Sequence, residues 1–156
     1  MGIISFQGAR SKVKKQDDTP IKVSDYMSRS LITFNPNQSV MEVVETLVKH
    51  KISGGPVVNE QNELLGIISE GDCIKQLNES RYYNMPMDDA KVENFMVKDV
   101  ETIDGNISIF DAANKFLESK RRRFPIVEDG KLIGQISQKD VMKAALKMNS
   151  QHWRDL

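Results

Sequence analysis

One self-similarity constrains this chain more than any other feature. Val23-Ser24-Asp25-Tyr26-Met27 returns as Val92-Glu93-Asn94-Phe95-Met96, an offset of 92 − 23 = 69 residues. In that register Thr33 falls on Thr102, Asn37 on Asn106, Ser39 on Ser108, Pro56 on Pro125 and Val58 on Val127. One residue drops out where Glu60-Gln61-Asn62-Glu63 becomes Asp129-Gly130-Lys131. From there the offset is 132 − 64 = 68, and Leu64, Gly66, Ile68, Ser69 and Asp72 fall on Leu132, Gly134, Ile136, Ser137 and Asp140. A register held through a whole unit marks a structural duplication.

Each copy reads in the same order. Leu31-Ile32-Thr33-Phe34 is a short extended stretch closed by Asn35-Pro36, because proline biases its predecessor away from helix. Ser39 then caps a helix with Glu42 at the capping-box spacing, and Val40, Val43, Val44, Leu47 and Val48 form one helical face. In the second copy Ser108 caps, Asp111 takes the third position, and Ile109, Ala112, Ala113, Phe116 and Leu117 form the stripe. Pro56-Val57-Val58 and Leu64 to Ser69 are two strands joined by a turn, matched by Phe124 to Val127 and Leu132 to Ser137. Between the latter, Asp129-Gly130 is a hairpin signal. A helix follows each second strand, over Glu70 to Gln76 and Gln138 to Lys147. A two-stranded hairpin is marginal alone, so each unit must lay its sheet against its helices and its sister. The expected fold is α+β, a β-α-β-β-α order repeated twice.

On this reading 1–22 is an arm or lead-in, 23–77 the first domain, 78–91 a linker, 92–147 the second domain and 148–156 a tail. Gln7 to Pro20 is rich in Lys, Asp and Gln and reads as a solvated arm, with Lys12, Lys14 and Lys15 available to an acidic partner. Tyr82 and Tyr83 are the linker groups expected to anchor against a domain or a second chain, and Trp153 is expected to pack or meet a partner.

Composition excludes several functions. At 156 residues, 39% hydrophobic and 28% charged, the chain suits a globular protein without room for an enzyme domain beside a separate regulator. Its 22 basic residues balance 22 acidic ones, which argues against nucleic acid as a partner of the whole molecule. With Cys73 the single cysteine, no intrachain disulfide forms, and neither a signal peptide nor a membrane span is evident; the cytoplasm is the expected location. Cys73 is matched by Val141 and reads as a small buried hydrophobe, while His50 and His152 form no metal-ligand cluster.

The paired units resemble two CBS domains in tandem, the arrangement called a Bateman module. The resemblance rests on the Val-x-x-Tyr/Phe-Met lead-in, the Thr after the first strand, the strand opening at Pro, and the hydrophobic-Gly-x-Ile-Ser-x-x-Asp ending, each present twice. It implies a pseudo-twofold pair of CBS-like units packed through their sheets, a cleft per unit for AMP, ADP, ATP or S-adenosylmethionine, no obligatory cofactor, and a homodimer acting on a regulated protein. It also implies that Ser69 and Asp72 face one ligand and Ser137 and Asp140 another, the aspartates accepting bonds from ribose hydroxyls. Backbone near Thr33 and Ser53 to Pro56, and near Thr102 and Arg122 to Pro125, would frame the adenine.

The residue types have their own physical logic. An ionised carboxylate is acceptor-only and can take both donors of a cis-diol. Ser69 and Ser137 stand at strand-to-helix junctions, where unpaired N–H groups favour an anion, although Ser69 and Asp72 are also spaced as an ordinary helix cap. Arg121-Arg122-Arg123 occupy the second copy where Ile52-Ser53-Gly54 stand in the first. Guanidinium groups clamp phosphates, so the second cleft, or one it faces across an interface, is expected to take a charged nucleotide. Gly54-Gly55 would leave backbone open to a flat ring in the first. The expected function is thus a non-catalytic sensor of an adenine compound. The alternative is a structural or protein-interaction homodimer with unused clefts. No nucleophile, paired-histidine or P-loop motif supports an enzyme.

Overall fold

A computed structural model describes residues 21–84, 86 and 89–154, with side chains described as far as Ser150. The basic arm, Met85 and Met87, and the side chains of His152 and Trp153 lie outside the described residues. The elements run α1 (Val40–His50), β1 (Gly54–Val58), β2 (Leu64–Ser69) and α2 (Glu70–Tyr83), then α3 (Ile109–Ser119), β3 (Arg123–Glu128), β4 (Lys131–Ser137) and α4 (Gln138–Arg154). β1 pairs with β2 and β3 with β4, both antiparallel. The first strand of each repeat is reduced to one parallel bridge, Phe34 beside Val57 and Ile103 beside Ile126. The chain turns at once, because the Asn35 side chain accepts from the Asn37 N–H at 2.9 Å and Asp104 from Asn106 at 2.8 Å.

Capping residues set the helix starts. The Ser39 hydroxyl accepts from the Glu42 N–H at 3.2 Å and Ser108 from Asp111 at 3.1 Å. Val40, Val43 and Leu47 are buried, as are Ile109, Ala112 and Phe116. Val48 and Leu117, expected on the same stripes, are instead 74% and 81% exposed. Each lies one residue, about 100° of helix, past the buried Leu47 or Phe116, and so turns away from the hairpin. α2 continues beyond Gln76 to Tyr83, since neither proline nor glycine stands among residues 77–83, and ends at Asn84 with φ 55°. Tyr82 and Tyr83 are exposed and pack edge-on against each other, not against a domain of this chain. The Asp129-Gly130 turn has φ 53° and 80°, as a tight hairpin requires.

The repeats fill the same space differently. Gly55 is buried, and a Cβ there would meet the Phe34 ring at 2.9 Å and the Ile32 carbonyl at 2.9 Å. In the second unit the counterparts are Ile103 and Phe124, so the large side chain moves from one strand to its neighbour. The side-chain face of Gly55 is therefore filled by the protein itself, while Gly54 and Gly55 still border a cavity shared with the second unit.

The lead-ins are exchanged between units. Val23 and Met27 precede the first unit but lie in the core built by Ile103, Ile109, Phe116, Phe124, Ile126 and Ile136. Val92, with Phe95 and Met96 packed alongside, completes the core of Phe34, Val40, Val43, Leu47, Val57 and Ile68. Backbone bonds fix both crossings. Ser28 and Gln135 exchange bonds of 2.8 and 2.9 Å, as do Val97 and Ile67 at 2.8 and 2.9 Å. The hairpin tips also join, the Leu132 N–H donating to the Asn62 carbonyl at 3.0 Å and the Asn62 side chain to the Leu132 carbonyl at 2.8 Å.

Candidate functional site

The two Ser-x-x-Asp endings form matching helix caps. Asp72 Oδ2 accepts from the Ser69 N–H at 2.9 Å and from its hydroxyl at 3.0 Å, while the Ser69 hydroxyl accepts from the Asp72 N–H at 3.4 Å. Asp140 and Ser137 repeat this at 2.9, 2.9 and 3.2 Å. The next N–H is taken as well: Glu70 donates to the Ser53 carbonyl at 2.9 Å and Gln138 to the Arg122 carbonyl at 3.2 Å. Much of the expected anion-binding capacity of these helix starts is thus used internally, and an anion here needs side-chain cations. Both aspartates are half-buried.

Those cations come from the other unit. Arg121, Arg122 and Arg123 line a cavity of about 230 Å³ whose remaining wall is Ser53, Gly54, Gly55, Ile67, Ser69 and Gln135. The first unit's Ser69 therefore faces the second unit's arginines. An adjoining cavity of about 200 Å³ is lined by Ser28, Ser30, Leu31, Ile32, Ile52 and Pro56, and shares Gly54, Arg123 and Gln135 with the first. One hollow carries the three arginines, the other the side chains of Leu31, Ile32 and Ile52. Thr33 and Thr102 are exposed, and neither lines these two cavities. Pro125 is buried in β3. Gly54 is required by the fold, because a Cβ there would approach the Ile68 carbonyl to 2.7 Å.

Sequence reasoning missed Ile32, Ile52 and Gln135 as lining residues. Gln135 carried a signal: it is a polar residue at the strand position that Ile67 holds in the first copy. The isoleucines carried none, since aliphatic residues beside a strand read as core. A larger cavity of about 590 Å³ lies between α1 and α2, lined by Val44, Leu47, Val48, Cys73, Ile74 and Leu77 among others, with Arg123 at its edge. Cys73 is buried, and burial, with Asp72 and Glu70 nearby, pushes its thiol up to about 11. Among the described residues no group of three or more His, Cys, Asp or Glu is placed to hold a metal. No described helix is long and apolar enough to cross a membrane.

With that geometry in place, known proteins supply the context. The family model described as CBS domain matches residues 23–79 and 92–147. An uncharacterised protein of Methanocaldococcus jannaschii is 28% identical over 152 residues, covering 92% of this chain and 52% of the relative, so the chain spans about half of that protein. The crystal structure of CBSX2 in complex with AMP, a protein of Arabidopsis thaliana, shares 32% identity and a TM-score of 0.72 over 83% of this chain and 98% of that one. The CBS domain pair of protein MJ0100, in complex with 5′-methylthioadenosine and S-adenosylmethionine, shares 26% identity and a TM-score of 0.66, covering 83% and 98%.

Proposed function

The chain belongs to the CBS-domain family as a tandem pair, and on that footing we propose that it senses an adenine nucleotide in the cleft between its two units. CBS-domain pairs are regulatory modules without catalysis of their own, and their relatives are complexed with AMP or with adenosyl compounds. The observation that carries the reading is the facing of Arg121, Arg122 and Arg123 with Ser69 across one cavity. Three permanent cations favour phosphate and disfavour the sulfonium of S-adenosylmethionine. The nucleotides AMP, ADP and ATP are thus the preferred candidates.

In this reading the phosphates lie among the arginines and the adenine enters the hollow between Ile32, Ile52 and Pro56. Asp72 lines neither hollow and stands behind Ser69, from where Oδ1 would reach the ribose, its Oδ2 already serving the cap. Joined past Arg123 and Gln135, the two hollows reach the lower end of the roughly 300–1,000 Å³ range of small-molecule sites. Phosphate drawn to the arginines links one unit to the other, so binding favours the arrangement in which both walls are in reach, and a regulated partner would read that arrangement.

A second copy of the chain fits the helical surface. Val48 and Leu117 occupy equivalent places on α1 and α3, Ile74 and Met142 on α2 and α4, and all four are exposed by 59% or more. Matched apolar faces suit a symmetric homodimer. Calorimetric titration of the full chain with AMP, ATP and S-adenosylmethionine tests the ligand. We expect binding of the nucleotides, weakened at least about tenfold in Asp72→Ala. No heat and no thermal shift with any adenine compound would overturn the proposal.

A further inference from the structure

We propose that one nucleotide binds per chain, because the second of two equivalent base slots is held shut by Glu101 and Arg121. The inference rests on the nucleotide reading above and adds which slot is used and why. In the repeat register Ile32 corresponds to Glu101 and Ile52 to Arg121, since 32 + 69 = 101 and 52 + 69 = 121. In the first unit the two isoleucines line a single cavity, with Leu31 and Pro56 beside them. In the second unit their counterparts are in contact: Arg121 Nε lies 3.6 Å from Glu101 Oε2, and Lys115 Nζ lies 3.8 Å from Oε1. One carboxylate thus draws two cations across the place where the first unit has a gap.

The difference decides which slot takes a base. A base between Ile32 and Ile52 gains from removing apolar surface from water and leaves no polar group stranded. A base between Glu101 and Arg121 must part them, depriving the carboxylate of a cation and of water on the same side. A surface ion pair is weak in itself. The obstacle is the desolvation of a charge left without its partner. Arg121 also lines the hollow that contains Ser69, so the residue that shuts one slot serves the phosphate end of the other.

Isothermal titration with AMP decides the matter by stoichiometry. The wild-type chain should bind one AMP. Transplanting the charged pair, Ile32→Glu with Ile52→Arg, should reduce this to none. Both isoleucines also touch the first core, so the variant's thermal unfolding is followed alongside. Should it fail to fold, the reverse change decides instead: Glu101→Ile, which breaks the pair and keeps Arg121 at the phosphate end of the first site, should add a second binding event, and its absence overturns the inference. Two AMP per wild-type chain, or one AMP that survives in a folded Ile32→Glu, Ile52→Arg variant, overturns the inference and leaves the nucleotide reading intact. Absence of AMP binding in the wild type overturns both.

Discussion

Gly66 and Gly134 are equivalent positions where an exchanged lead-in crosses a sheet, and adding a single methyl group there tests whether those crossings hold the molecule together. A Cβ at Gly66 would fall 2.6 Å from the Val97 carbonyl and 3.0 Å from Met96 Sδ; at Gly134 it would fall 2.7 Å from Met27 Sδ and 2.9 Å from the Ser28 carbonyl. An ordinary carbon–oxygen approach is about 3.3–3.6 Å, so the backbone itself must retreat. The retreat strains the paired bonds between Val97 and Ile67, or between Ser28 and Gln135, each 2.8 and 2.9 Å long. Two hydrogen bonds at about 0.5–1.5 kcal/mol each, plus about 1–3 kcal/mol for overpacking, give a cost of roughly 2–6 kcal/mol. Against a total stability of roughly 5–15 kcal/mol that is large. For a chain of this size it lowers Tm by roughly 5–20 °C. Gly71→Ala is the control, since its Cβ meets only Ser69 Oγ at 3.7 Å and alanine favours helix. Urea unfolding of Gly66→Ala, Gly134→Ala and Gly71→Ala should show two severe losses and one neutral or slightly stabilising change. Because each core holds the other unit's lead-in, every transition should remain single. Losses below about 0.5 kcal/mol at both crossings, or separate melting of the units, would refute the reasoning.

Three further outcomes follow from particular side chains. The Cys73 thiol ionises near 9.0 when unfolded and near 11 when folded, so the folded state keeps a proton that the unfolded state releases. Its contribution is full below pH 9 and is lost as pH rises toward 11; Cys73→Val should flatten that decline in urea midpoints compared at about pH 8 and about pH 10. Gln76 is fully buried, donates to the Ser80 hydroxyl, and its Oε1 has no partner among the described residues; Gln76→Leu with Ser80→Ala should stabilise by about 1 kcal/mol, and a loss of that size would contradict it. On the proposed homodimer, Val48→Lys with Leu117→Lys should lower the sedimentation mass from two chains to one, whereas a single-chain mass in the wild type, or an unchanged mass in the variant, would remove those faces from any interface.

The local structure was legible because its determinants are local. Ser39, Ser108, Ser69 and Ser137 cap helices where their spacing to the next acidic residue says they should, and Asp129-Gly130 turns the chain as its backbone freedom dictates. The exchange of lead-ins was not legible. Met27 and Met96 are equivalent by sequence, and a repeat pattern reads the same whether each packs into its own unit or its sister. The arginines illustrate the same gap: that they share a cavity with Ser69 is set by how the units face each other, which neither copy states by itself. Val48 and Leu117 show the limit of periodicity, which marks a residue as apolar on a face without saying whether this chain covers it.

The union of the hairpin tips has a geometric consequence. Asn62 and Leu132 are stitched at one end of the hairpins, while Ser69 and the arginines stand at the other, where Gly54 pairs with Ser69 and Arg123 with Ser137. Strands of this length place the two ends about 17–20 Å apart. The stitched tips and the arginine wall thus stand at opposite ends of the paired hairpins, and a tilt of about 3° about the tips would displace the guanidinium groups by roughly 1 Å, a distance comparable to the whole range of hydrogen-bond lengths.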